Sequence, residues 1–208
     1  MPRLLRSLLS AVVLPPLFAS ALLVGANTGS GRDLIARAVA AASGGQVVLE
    51  GLGGTLPLSP RVEVLVLGDS DGTWLRVRGL ALDLDPWPLL QGGPLGVDLT
   101  AEALSLERLP PASAGEGGTP RLPFAVQVRH LSLDLMTLDG AIAGAPPLTL
   151  EGDALATTAA DLAATLVLTA PGRPDRYHLA LGVDGDRYRL DLEAQETPGG
   201  LVAALLGP

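Results

Sequence analysis

The feature that most restricts what this chain can fold into is a two-residue hydrophobic period, repeated from about residue 46 to the end. Leu80, Leu82 and Leu84 alternate with Ala81, Asp83 and Asp85, and Leu131, Leu133 and Leu135 alternate with Ser132 and Asp134. Tyr177, Leu179, Leu181 and Val183 share one side of a further run. Tyr188, Leu190 and Leu192 share one side of the last, with Arg189, Asp191 and Glu193 opposite. A period of two puts successive side chains on opposite faces of a strand, so each run has an aliphatic face and a charged or small one. Val97 to Glu107, Leu148 to Glu151 and Ala163 to Thr169 supply further strands.

The joints suit antiparallel neighbours. Gly68-Asp69-Ser70-Asp71-Gly72 joins Val62–Leu67 to Trp74–Val77, and Asp184-Gly185 lies between the last two runs. Asp-Gly is a strong two-residue hairpin signal. Between Leu75/Val77 and Leu80/Leu82 the apolar parity slips at Gly79, which predicts a bulge. The Pro/Gly-rich stretch Leu109 to Pro123 reads as a flexible loop inside one domain, because the alternation resumes at Phe124. Gly29 to Ala42 reads as connector and helix, with Leu34, Ile35, Ala38 and Val39 on one face and Ser43-Gly44-Gly45 as its stop. Three segments result: a membrane or signal segment over 1–26, a connector with a short helix over 27–45, and a β domain over 46–208.

The first segment carries Arg3 and Arg6 and then no charge until Arg32. Leu8 to Ala26 gives roughly 19 apolar or small residues, just enough to cross a hydrocarbon core. Positive charge before it and acidic sequence after it place the N-terminus in the cytoplasm and the remainder across the membrane. Retention as an anchor and cleavage after Val24-Gly25-Ala26 both fit. Pro15-Pro16 would kink a spanning helix, which membrane segments tolerate.

Composition removes several function classes. The chain has no cysteine, so disulfides and thiolate chemistry are excluded. It has no lysine either, so Schiff-base chemistry and a phosphate-binding Walker loop are excluded. The formal charge is −8, with 22 acids against 14 arginines, which argues against nucleic acid as a partner. Apolar residues make up 48% and aromatics only 3%, so the interior is aliphatic.

No catalytic or metal constellation survives inspection, and no cofactor is expected. His130, Ser132 and Asp134 contain the residue types of a triad, but on one strand face they stand about 6.6–7 Å apart in succession, too far for hydrogen bonds between them. Asp69-Ser70-Asp71-Gly72 opens like a calcium loop, yet its twelfth position is Leu80 rather than Glu. His130 and His178 lie on different runs, with no spaced partner for zinc. Trp74 and Trp87 suit core or rim packing. Arg76 and Arg78 read as exposed strand charges that could also meet phosphate head groups.

An ordered string of features resembles the N-terminal region of TamB-like proteins, of the AsmA-type bridge-like lipid transporters. A membrane segment leads to Ser30-Gly31-Arg32 and a short helix. Val47-Val48-Leu49-Glu50-Gly51-Leu52-Gly53-Gly54-Thr55-Leu56-Pro57 and Leu65-Val66-Leu67-Gly68-Asp69-Ser70-Asp71-Gly72-Thr73-Trp74-Leu75 follow. Next come Leu80-Ala81-Leu82-Asp83-Leu84-Asp85-Pro86, Leu89-Leu90-Gln91-Gly92 and Leu104-Ser105-Leu106-Glu107-Arg108-Leu109-Pro110. The resemblance covers roughly the first half of the chain. The second half shares only the alternating-strand style.

The resemblance implies a mostly β protein, anchored in the bacterial inner membrane and facing the periplasm. Its antiparallel strands would form an open, curled, taco-like groove, and it would not be an enzyme. The groove would carry phospholipid acyl chains or support outer-membrane protein assembly. Its lining would be Leu80, Leu82, Leu84, Leu131, Leu133, Leu135, Leu179, Leu181, Leu190 and Leu192. Family members are far longer, and the C-terminal region that engages an outer-membrane barrel partner has no counterpart here. Alternation alone favours the alternative, a β-sandwich interaction or adhesion module in which the same faces pack as a core; the resemblance reverses that preference.

Overall fold

The structure, a computed structural model, describes residues 23–109, 123–138, 140–157, 161–184 and 187–206. Most of the 1–26 segment and of the 109–123 loop therefore lies outside the described residues. No helix among the described residues is long and apolar enough to cross a membrane.

A helix, α1 (Gly29–Ala42), precedes the strands. The Thr28 hydroxyl caps it by accepting from the Gly31 amide at 3.1 Å, and Gly44 and Gly45 end it at positive φ. Its inner side is not the predicted one. Leu34 is 62% exposed and Ala38 is exposed, whereas Arg32, Ile35, Ala36, Val39 and Ala40 are half-buried. The rotation follows from Arg32, which donates to the Gly54 carbonyl at 2.7 Å. Asn27 clamps the same stretch, donating to the Leu56 carbonyl and accepting from its amide.

Every strand among the described residues belongs to one eleven-stranded sheet. β1 (Val47–Glu50) and β2 (Gly53–Thr55) lie in line along β3 (Ser59–Asp69), which pairs with β4 (Gly72–Asp85). A 3-10 turn, Trp87–Gln91, leads to β5 (Leu95–Ala101) and β6 (Ala103–Leu106), again in line, both along β4. β7 (Val126–Thr137), β8 (Leu148–Ala156), β9 (Leu162–Thr169), β10 (Arg176–Asp184) and β11 (Arg187–Gln195) then add in order. The mostly β, antiparallel-rich expectation holds, and the strands do not divide into two packed sheets as a sandwich requires.

One pairing departs from the antiparallel expectation: β7 lies parallel to β5 and β6. Parallel neighbours need a crossover of a dozen or more residues. The segment between β6 and β7, which contains the expected loop, is long enough to supply it.

The parity slip at Gly79 also resolves differently. Residues on both sides of Gly79 keep one register with β3 and one with β5 and β6, so no residue is inserted there. Instead neighbouring strands slip together. The apolar face steps by three from Val62 to Leu65, Val77 to Leu80, Ala101 to Leu104 and Leu133 to Met136. The register sets these steps side by side: Leu65 opposes Val77, Val62 opposes Leu80, Val77 opposes Leu104, and Leu104 lies beside Met136. The step ends at β8, where the β7–β8 register shifts between Leu133 and Met136.

Glycine serves the step on β4, and also stands at the break between β1 and β2. Gly51 and Gly79 sit at φ of 64° and 61°, and at Gly79 this inverts side-chain sense without breaking the ladder. A Cβ at either would collide with the side chain lying over it, Glu63 over Gly51 and Glu102 over Gly79.

The most buried cluster lies beyond this step: Val77, Ala101, Leu133, Met136, Leu148, Ala170 and Tyr177, with Leu201 and Val202 packed on it. These last two belong to a short helix, α2 (Leu201–Leu206), which packs on the apolar face.

An apolar sheet face as the candidate functional site

Register, more than any single residue, builds the site. One row crosses the sheet from Leu82 through Leu99, Leu131, Gly152, Leu166 and Leu179 to Leu192. A second runs from Leu84 through Val97, Val128, Ala154, Ala164 and Leu181 to Leu190. A third takes Leu133, Leu150, Leu168, Tyr177 and Ala194. No charged side chain interrupts these rows. The one gap, Gly152, is closed by Leu166, whose side chain occupies the space a Cβ would need.

The opposite face carries the charge. Arg61 pairs with Asp83 at 3.8 Å and Arg76 with Glu107 at 3.5 Å. Arg129 bridges Asp85 at 2.9 Å and Asp98 at 2.6 Å, and both partners raise its pKa further. Arg76 thus has a carboxylate partner just past the end of β6. Both faces follow from the alternation alone, because apolar burial favours one side and hydration of charge the other.

Of the ten predicted lining residues, Leu80, Leu82, Leu84, Leu131, Leu133, Leu179 and Leu181 lie on the apolar face, buried or half-buried. Leu190 and Leu192 lie on it too, but are 64% and 56% exposed. Leu135 does not belong to it. The β7 step turns Leu135 outward, 38% exposed, and puts Met136 in the cluster at 9%. The period-two reading missed Met136 for that reason. It also did not single out Val97, Leu99, Leu104, Leu150, Leu166 and Leu168, whose places are fixed by the register.

A polar lock, which has no local signature in the sequence, holds α2 against this face. Asp175 is 1% exposed and accepts from the Thr197 amide at 2.8 Å, the Thr197 hydroxyl at 2.7 Å and Arg173 at 2.6 Å. Burial alone would raise the Asp175 pKa, but the Thr197 and Arg173 bonds outweigh it and hold the group below its usual range. The Tyr177 hydroxyl donates to Glu196 at 2.8 Å and accepts from the Leu201 amide at 2.9 Å; burial raises its pKa. Glu196 also accepts from the Val202 and Ala203 amides, satisfying first-turn donors of α2. These bonds overcome the opposing effect of desolvation and lower its pKa.

The calcium-like loop is a hairpin turn. Asp69 accepts from the Asp71 amide at 2.8 Å and pairs with Arg108, which also reaches the Gly72 carbonyl. The Asp71 amide is the main reason the Asp69 pKa is lowered, with Arg108 adding to it against desolvation. His130 and His178 are exposed, and no acid–histidine group among the described residues could hold a metal ion. Trp74 is half-buried, while Trp87 stands 68% exposed at the rim rather than in a core. Comparison of the chain with protein-family models, with curated proteins and with solved structures found no match.

Proposed function

We propose that the chain is the N-terminal, inner-membrane-anchored part of a TamB-like envelope protein, whose periplasmic sheet presents its apolar face to phospholipid acyl chains. The observation that supports this most is the set of cross-sheet rows, aliphatic from Leu82 to Leu192 and from Leu84 to Leu190 with no charge among them.

Conduction needs a wall that holds a chain without trapping it. A methylene leaving water for such a wall gains about 0.8 kcal/mol. An aliphatic row offers that gain at every step and no hydrogen bond at any, so sliding along it crosses no deep well. Curling of the sheet would turn the face into a groove. The proposed role is non-catalytic.

Photocrosslinking tests the proposal without disturbing the core. Benzoylphenylalanine placed at Leu82, Leu166 or Leu181 in envelope-expressed full-length chain would capture phospholipid, detected by mass spectrometry. Placed at Asp83, Thr165 or Ala180, one residue away on the charged face, it would not. Equal capture from both faces, or none from the apolar one, refutes the proposal and leaves the interaction-module alternative.

A further inference from the structure

The two edges of the sheet are finished differently. At the β1–β2 edge, α1 and its flanks occupy backbone groups: Asn27 takes both polar groups of Leu56, Arg32 the Gly54 carbonyl, and Ser43 the Val47 amide. At the other edge β11 is exposed at all nine of its residues. Among the described residues it forms no hydrogen bond outside its ladder with β10, and its four charges form no ion pair. An unfinished edge of this length is a template for another strand.

The order of charges on β11 selects which strand. Arg187 and Arg189 stand in its first half, Asp191 and Glu193 in its second, all on one face, and Leu190 lies midway on the other. We infer that β11 pairs antiparallel with β11 of a second copy of this chain, about a two-fold axis through Leu190. That register sets Arg187 against the partner's Glu193 and Arg189 against the partner's Asp191, each twice, and Tyr188 against the partner's Leu192. Shifting the axis to residue 189 or 191 puts Arg against Arg or Asp against Asp. An axis at Leu190 is the register in which every charge meets its opposite.

Within the chain, Arg187 and Glu193 have Asp184 and His178 opposite them on β10 without an ion pair, whereas the β10 residues opposite Arg189 and Asp191 are Gly182 and Ala180. A two-fold axis normal to the sheet also keeps apolar face beside apolar face, so the row ending at Leu190 continues into its copy. The pairing stands on edge geometry and charge order, independently of what the apolar face carries.

Because the chain has no cysteine, one introduced cysteine can join only two copies. Full-length Leu190→Cys in mild detergent is expected to form a disulfide dimer under mild oxidation. Leu181→Cys, one strand further in, would lie well beyond disulfide reach of its mate and stay monomeric on reducing-agent-free gels. By analytical ultracentrifugation, Arg189→Asp is expected to weaken dimerisation about tenfold or more, since two attractive cross-strand pairs become repulsive. Arg189→Asp with Asp191→Arg restores the pairing and the dimer. With Gly182 and Ala180 as their β10 neighbours, neither change disturbs the fold, and circular dichroism checks this. A monomeric wild type, an Arg189→Asp dimer as tight as wild type, a double variant no better than the single, or equal crosslinking at Leu181→Cys each overturns the inference.

Discussion

The shared step across the sheet makes a prediction that a simple alternating strand would reverse. In an unbroken period-two strand Leu135 would continue the face of Leu131 and Leu133, and Met136 would point to water. In the structure Met136 is 9% exposed within a cluster that includes Leu148 at 0%, and Leu135 is 38% exposed on the charged face. Truncating Met136 to Ala removes a side chain from a packed core, which costs about 2–5 kcal/mol, centred near about 3. Leu135→Ala is milder, because full burial of a leucine is worth about 1.5–3 kcal/mol and only part of that applies here, leaving about 1 kcal/mol. For a domain of this size each kcal/mol lowers the melting temperature by about 2–4 °C. Met136→Ala should therefore melt about 6–12 °C below wild type, and Leu135→Ala about 2–4 °C below. Urea unfolding followed by far-ultraviolet circular dichroism, with unchanged slope, gives the free energies directly. If Leu135→Ala proves equal to or worse than Met136→Ala, the step on β7 is wrong, and so is the alignment of its neighbours.

Two further outcomes follow from the glycine step and the α2 lock. Gly79→Ala should lose about 1 kcal/mol by urea unfolding, since the left-handed backbone costs about 1–2 kcal/mol for an L-residue, offset by about 0.4–1 from a stiffer unfolded chain; a neutral or stabilising result contradicts the assigned backbone. Asp175 and Glu196 both have lowered pKa values in the fold, so each stabilises it above its unfolded pKa of about 4, and that contribution is lost as pH falls through the folded value. Melting temperature should thus be steady between about pH 5 and 7 and drop below about pH 4, with Asp175→Asn less stable at neutrality and flatter in the acid limb. An acid limb of unchanged steepness in that variant would remove Asp175 from the account.

Alternation is a local property, written residue by residue, because each strand residue chooses its face by its own transfer free energy. The sequence by itself therefore determined the strands around Leu80–Leu84, Leu131–Leu133 and Tyr177–Val183, the tight turn at Asp69–Gly72, the helix over Gly29–Ala42 and the aliphatic character of one face. Where a run reads apolar at two parities, as in Leu131-Ser132-Leu133-Asp134-Leu135-Met136, local preference is degenerate, and only the neighbours Leu104 and Leu148 decide that Met136 goes in. Parallel placement of β7 beside β5 was equally out of reach, since pairing partners far apart in sequence leave no local signature. So was the burial of Asp175, whose Thr197 partner lies 22 residues away. Tertiary structure decided which leucines meet across the sheet, because register is set by summing weak preferences over many strands at once, and no single strand carries that sum.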